Sequence, residues 1–230
     1  MNPKVKDPGW SGDPLPRGRH KLPREAVKAS QRERLLRAMA EVAAGRGFDA
    51  TSVAQVVAAA RVSTNTFYGF FADKTDCFIA LCEEEGERLL SSLEAQRRDA
   101  GEPSDALAAL DDGLRVYLGW WEDRPALARA YFVELPAAGA RALAERDRQL
   151  ERFAGLLRQT AERARTLLPG LPPVRDLDVR AAAVMANELV AAHVRAGRAE
   201  HLDELLPDLR YLMLRLLVSD EVANRVAPPA

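Results

Sequence analysis

Residues 51–74 gather the side-chain types that bind a nucleic-acid duplex. Thr51, Ser52 and Thr66 carry short hydroxyls suited to phosphate oxygens, and Lys74 adds a cation on a long stem. Asn65 has the paired donor and acceptor that match an adenine edge, while Thr64 can bond a base or pack its methyl group on thymine. Tyr68 contributes a phenolic donor on a stiff arm, the N-terminus of the first motif helix adds free N–H groups and a partial positive charge, and Ser63 is a good N-cap for the second. For Phe67, Phe71 and the valines of this segment an ordinary helical core is explanation enough. For the polar set the competing explanation is a solvated surface on a plain helix pair.

To bring those groups to one surface, the segment must fold as two short helices joined by a tight turn. Ser52 caps the first, with Gln55 three residues on completing a capping box, and Val53, Val56, Val57 and Ala60 form its buried face. Arg61, Val62 and Ser63 make the turn. Ser63 caps the second helix, in which Phe67 and Phe71 lie four residues apart on one side and Thr64, Asn65, Thr66 and Tyr68 lie near the exposed start. This is a helix-turn-helix pattern, and the exposed start of its second helix is the part that enters a major groove.

The pattern resembles the tetracycline-repressor (TetR-like) family of bacterial regulators over roughly residues 24–78. That family's recognition helix ends in an aromatic-Tyr-x-x-Phe pattern followed by a small residue, an acid and Lys. This chain reads Phe67-Tyr68-Gly69-Phe70-Phe71-Ala72-Asp73-Lys74. A preceding helix carries Leu35, Leu36, Met39, Val42 and Ala43 on one side and stops at Gly45-Arg46-Gly47-Phe48. Three residues depart from the family's habit: Arg61 replaces a common turn glycine, Val53 occupies a position that often touches a base, and Phe70 replaces a polar residue. The resemblance implies an all-α chain, with an N-terminal three-helix helix-turn-helix DNA-binding domain and a C-terminal helical domain for ligand binding and dimerisation. It implies a cytoplasmic, ligand-responsive transcriptional regulator, a repressor released from a near-palindromic operator by a small molecule. The alternative is a helical carrier of apolar molecules whose head no longer binds DNA specifically.

Composition fits these expectations. Residues 1–80 carry 13 basic and 8 acidic side chains, a net +5, and residues 81–230 carry 20 and 26, a net -6. One end thus favours phosphate and the other repels it. No apolar run approaches the ~20 residues of a spanning helix, so no membrane partner is expected. Cys77 and Cys82 read as buried thiols in a reducing compartment, with redox sensing as a minor alternative, and the three histidines His20, His193 and His201 offer no metal cluster. No enzyme fingerprint is present and acidic residues read as exposed, so neither catalysis nor a cofactor is expected.

The organisation expected is a flexible basic arm at 1–22, the DNA-binding domain at 23–75, the helical body at 76–220 and a tail at 221–230. Arg17, Arg19, His20, Lys21 and Arg24 either settle on phosphates or form a solvated leader. Asp73 caps a connecting helix through Phe78, Leu81, Cys82, Leu89 and Leu93, which breaks around 101–104. A stripe of Leu107, Leu110, Leu114, Tyr117, Leu118 and Trp121 predicts the next helix. Pro125 starts a shorter one through Phe132 and Pro136 closes it; a long amphipathic helix then carries Leu143, Leu150, Phe153, Leu157 and Ala161.

After a loop at 168–174, two helices over 178–196 and 202–218 are apolar around much of their circumference. A second chain is the natural cover, making a homodimer through the last two helices, although a thick monomer core would show the same pattern. The effector should have a substantial apolar part. Its candidate contacts are Tyr117, Trp120, Trp121, Tyr131, Phe132, Met185, Asn187 and His193, because aromatics and Met line an apolar site while a few polar groups orient a ligand.

Overall fold

A computed structural model of the chain describes residues 23–99, 106–167, 171 and 173–218. Every regular element among them is helical, as the sequence predicts. The arm with Arg17, Arg19, His20 and Lys21, the break at 101–104, most of the loop at 168–174 and the tail at 221–230 lie outside the described residues.

Helix α1 (Arg24–Arg46) starts behind Pro23 and buries Leu35, Leu36, Met39, Ala40 and Ala43. It stops at Gly47, whose φ of 84° a side chain would resist. Helix α2 (Val53–Ala60) has the expected capping box: Gln55 N donates to Ser52 Oγ at 3.3 Å, and Ser52 N donates to Gln55 Oε1 at 2.9 Å. Helix α3 (Thr64–Tyr68) is a single short stretch whose Thr66 N donates to Ser63 Oγ at 3.0 Å. Phe67 is wholly buried and packs 5.5 Å from Phe71, so the aromatic spacing seats α3 on the core beside α2.

Helix α4 (Lys74–Asp99) begins at the Asp73 cap, whose Oδ1 accepts from Asp76 N at 2.7 Å. At 26 residues it spans about 39 Å and packs on α1 at one end and on the body along the rest. The body adds α5 (Ala106–Glu122), α6 (Pro125–Arg129), α7 (Ala140–Leu167), α8 (Asp176–Arg195) and α9 (Leu206–Leu217), the last entered through a 3₁₀ turn at Leu202–Leu205.

Two expectations need correction. Pro136 does not close the helix begun at Pro125. The chain instead loosens into a π turn (Ala130–Glu134), tightens into a 3₁₀ turn (Leu135–Ala138) and stops at Gly139 with φ 87°. Proline fits there because it stands in the first turn of the 3₁₀ segment, where its missing N–H is not needed. The second correction concerns α9, which its own chain covers more fully than its apolar girth implies. Leu205, Leu209, Met213, Leu214 and Leu217 are buried, and Arg210 clamps Asp111 of α5 through contacts of 2.6 and 2.5 Å. The uncovered apolar surface lies mainly on α8, at Leu177 and Val184, with Leu212 and Leu216 of α9 half-buried.

Arg61 shows why glycine suits its position. It caps α2 in the left-handed region at φ 53°, ψ 48°, where a Cβ crowds the backbone. Arg61→Gly should raise the stability of the head by about 0.5–1 kcal/mol, read as a higher melting temperature in calorimetry.

Candidate nucleic-acid interface and aromatic cluster

The helix-turn-helix presents a polar ridge made of Ser52, Ser63, Thr64, Asn65 and Tyr68, all exposed, with Thr66 half-buried beside them. Ser63 Oγ and Thr66 Oγ1 lie 2.8 Å apart, which fixes both hydroxyls at the start of α3. Tyr68 stands out from the surface at 57 % exposure, its ring edge braced on Phe67 at 5.4 Å. Arg24 is exposed at the first turn of α1. Asn65 and Thr64 occupy the first turn of the second motif helix, the part of a helix-turn-helix that meets base edges.

Two of the expected phosphate ligands have other employment. Lys74 Nζ donates to the backbone oxygens of Phe48 at 2.9 Å, Asp49 at 3.0 Å and Thr51 at 3.0 Å, and lies 4.6 Å from the Phe48 ring centroid. An ammonium has three donors, and all three are engaged. Thr51 is buried, and its hydroxyl donates to Gly47 O at 2.8 Å. These side chains tie the loop between α1 and α2, and so hold the ridge in place rather than forming it.

In the body, the sequence-predicted aromatics fall into two groups. Trp121 packs 5.1 Å from Tyr131 and 4.7 Å from Phe132, which contact each other at 5.1 Å. Tyr117 stacks on Phe153 of α7 at 5.2 Å. Burial raises the phenol pKa of both Tyr117 and Tyr131, so both stay neutral hydrogen-bonding groups. Trp120 turns elsewhere, under the Arg124 guanidinium at 3.9 Å. On α8, Met185 is half-buried against the core and Asn187 is half-buried. His193 is also half-buried, with Arg198 and Asp208 as charged neighbours; burial, then Arg198, lowers its pKa, and Asp208 opposes them.

Next to this cluster lies a polar group that sequence reasoning missed by treating acidic residues as exposed. Glu85 and Glu145 are each 2 % exposed. Glu85 Oε1 accepts from Arg88 Nη1 at 2.6 Å; Glu145 pairs with Arg148 and accepts from Gln149 Nε2 at 2.6 Å. Gln149 Oε1 is buried without a hydrogen-bond partner and presses on Gly86, where a Cβ would meet it at 2.6 Å. The signal available in the sequence was Gly86 on an otherwise regular helix, which lets α7 approach α4.

Residues 35–81 match the family model for bacterial regulatory proteins of the tetR family. Over those residues the head of this chain is similar to that family. The match runs from the middle of α1 into α4 and contains the whole polar ridge from Ser52 to Tyr68. Similar solved structures extend the likeness to the body. The fatty acid degradation regulator FadR of Bacillus halodurans superposes with a TM-score of 0.72 at 19 % identity, covering 80 % of this chain and 94 % of that one. FadR of Bacillus subtilis, solved with stearoyl-CoA, gives 0.67 at 18 % identity, covering 80 % and 96 %. SmeT, the repressor of the Stenotrophomonas maltophilia multidrug efflux pump SmeDEF, gives 0.66 at 15 % identity, covering 86 % and 96 %. At these identities the likeness is one of fold. No curated protein matches the chain.

Within this head, two of the three departures have local explanations. Arg61 caps α2, and Arg34 Nη1 helps that end by donating to Ala60 O at 3.1 Å. Phe70 is half-buried and packs against the core, 6.1 Å from Phe71. No helix among the described residues is long and apolar enough to cross a membrane, and none of their His, Cys, Asp and Glu groups could hold a metal.

Both cysteines are buried and free. Burial pushes the Cys77 thiol up to about 12, with Arg32 opposing, and pushes Cys82 up further with the help of the Glu145 and Glu85 charges. Neither thiol should react with iodoacetamide in folded protein at neutral pH, and both should react after denaturation. An ordinary thiol loses its proton near 9.0, whereas folded Cys77 holds it to about 12. The stability contributed by that protonated thiol is therefore complete below pH 9 and lost as pH rises through the interval, which a titrated melting series would show.

Lys74 gives a second test. A lysine on phosphate contributes about one unit to the slope of log K against log salt. Lys74→Ala should instead lower the melting temperature and weaken DNA binding with that slope unchanged.

Proposed function

We propose that this protein is a homodimeric, effector-responsive transcriptional repressor that reads a near-palindromic operator with the first turn of α3. The observation that carries the reading is the tetR-family head with an exposed Thr64-Asn65-Tyr68 ridge built on a fully packed aromatic base. Asn65 and Thr64 read bases, while Ser52, Ser63, Thr66, Tyr68 and Arg24 serve phosphates. Two such heads are brought to adjacent major grooves by pairing of α8 and α9 across a two-fold axis, and Leu177 and Val184, at 68 % and 54 % exposure, supply apolar surface for that pairing.

The effector enters the body near the Trp121, Tyr131 and Phe132 cluster, with its apolar part on the rings and a donor group for the buried Gln149 Oε1. Long-chain acyl-CoA is the first class to try, because a protein of similar fold, FadR of Bacillus subtilis, was solved with stearoyl-CoA. Effector binding shifts the population toward a dimer whose heads are wrongly spaced for the operator.

The test is selection of duplexes from a random library by the full-length protein at near-physiological salt, repeated with Asn65→Ala. The expected result is an inverted repeat in which the variant loses discrimination at symmetric positions, by ~1–3 kcal/mol if Asn65 binds in a bidentate manner. Recovery of no motif from a folded dimer would overturn the regulator reading and favour a helical carrier of apolar molecules.

A further inference from the structure

The π turn (Ala130–Glu134) carries two aromatic residues of the body cluster and, at its last position, a carboxylate that reaches into the DNA head. Glu134 Oε2 accepts the backbone N–H of Phe48 at 2.9 Å. Its Oε1 stands 3.8 Å from Arg129 Nη2, and Arg129 Nε donates to Ala44 O at 2.8 Å. The Glu134 side chain is 13 % exposed, so its bond to Phe48 is sheltered from water. Between Ala44 and Phe48 lies Gly47 at φ 84°, where a Cβ would sit 3.4 Å from Glu134 Oε2. The positive φ accounts for the glycine, and the carboxylate lies beside it at ordinary contact distance.

Phe48 is held from the opposite side as well. Its carbonyl accepts from Lys74, which also takes Asp49 O and Thr51 O, and Thr51 in turn bonds Gly47. Ser52, the cap of α2, follows directly. One residue thus joins the body, through its N–H, to the loop that aims α2 and α3, through its C=O. Beside it stand the Arg129 bond to Ala44 O and the Arg32 pair with Glu84, while the tie from Arg141 to Asp76 at 3.2 Å has its arginine side chain 65 % exposed and is correspondingly weak.

We infer that Glu134 is a positioning residue that transmits the state of the Trp121, Tyr131 and Phe132 cluster to the helix-turn-helix through the Phe48 N–H. The inference rests on the regulator reading above and adds to it a route from the body to the head. A π turn holds one residue more than an α turn does. Its conversion to α geometry would rotate Glu134 by about 100° around the helix axis and withdraw its carboxylate from Phe48. A ligand that displaces Tyr131 or Phe132 drives that rearrangement, and the loop between α1 and α2 then loses one of its two anchors.

Coupling is reciprocal, so operator binding must alter the aromatic cluster even with no effector present. The experiment uses full-length protein with Trp10→Phe and Trp120→Phe, leaving Trp121 as the single emitter, and the operator recovered by selection. Operator binding should shift Trp121 emission. Glu134→Ala, and Glu134→Leu, which keeps packing bulk without an acceptor, should bind operator and lose the shift. Glu134→Gln should retain it, because the carboxamide oxygen still accepts from Phe48. Melting curves identify any variant that fails to fold, and the remaining Glu134 variants then decide. A shift of full size in a folded Ala or Leu variant overturns the inference, as does operator binding with no shift in the parent. Failure to select any operator overturns the regulator reading, and this inference with it.

Discussion

The loop between α1 and α2 presents the backbone oxygens of Phe48, Asp49 and Thr51, which no helix satisfies, and Lys74 Nζ meets all three. The bonds to Phe48 O and Thr51 O are partly buried, where an unmade hydrogen bond costs about 1–3 kcal/mol, so the head depends on this ammonium more than on an exposed ion pair. The Phe48 ring lies beneath the same ammonium and packs 5.0 Å from Phe78 on α4. Ring and cation together fix where α4 leaves the head. The capping box of α2 follows three residues after Asp49, and α3 is seated by Phe67 and Phe71 on the same core. The direction in which Asn65 and Thr64 face thus traces back to one lysine and the loop it closes.

The body solves a different problem, that of holding polar groups inside an apolar helix packing. Glu85 and Glu145 are taken out of water but keep arginines three residues along their own helices, so each charge is neutralised locally as α4 and α7 come together. Ion pairs of this kind add little net stability against an apolar replacement, and losing one partner alone is severe. Their value lies in orientation: Glu145 fixes Gln149, and Gln149 leaves its Oε1 as a buried acceptor close to Gly86. Cys82 sits in the same surroundings, which explains why its thiol resists ionisation.

What could be read in advance was the local part. The Ser52 and Gln55 box, the Ser63 and Asp73 caps, the Gly47 stop and the helical stripes depend on residues within four positions of one another, and the structure has each of them. Lys74 and Thr51 were misread because their partners are chosen by the tertiary fold. A lysine 26 positions from Phe48 is indistinguishable in sequence from a phosphate ligand. Glu134 was illegible for a further reason. An α-helical register places it on one face, and the π turn, which no local residue announces, changes that face. The apolar girth of α9 overstated its exposed surface because α5 and α8 cover it, a fact fixed in part by the distant Asp111 and Arg210 pair.

Leverage explains why a small polar contact matters in a frame this large. Helix α4 spans about 39 Å, so a tilt of about 5° at its body end displaces its other end by about 3 Å. That is enough to misplace a hydrogen bond to a base edge, since such bonds weaken steeply beyond their usual length. A head attached through α4 alone would follow every fluctuation of the body with this amplification. The bond from Glu134 to Phe48, with the packing of α1 on α6 and on the π turn and the Arg129 bond to Ala44, attaches the head to the body again at the head end of α4. The π turn that carries Glu134 also holds Tyr131 and Phe132 against Trp121. The position of the recognition helix becomes a property of the body's aromatic packing rather than of the stiffness of one long helix.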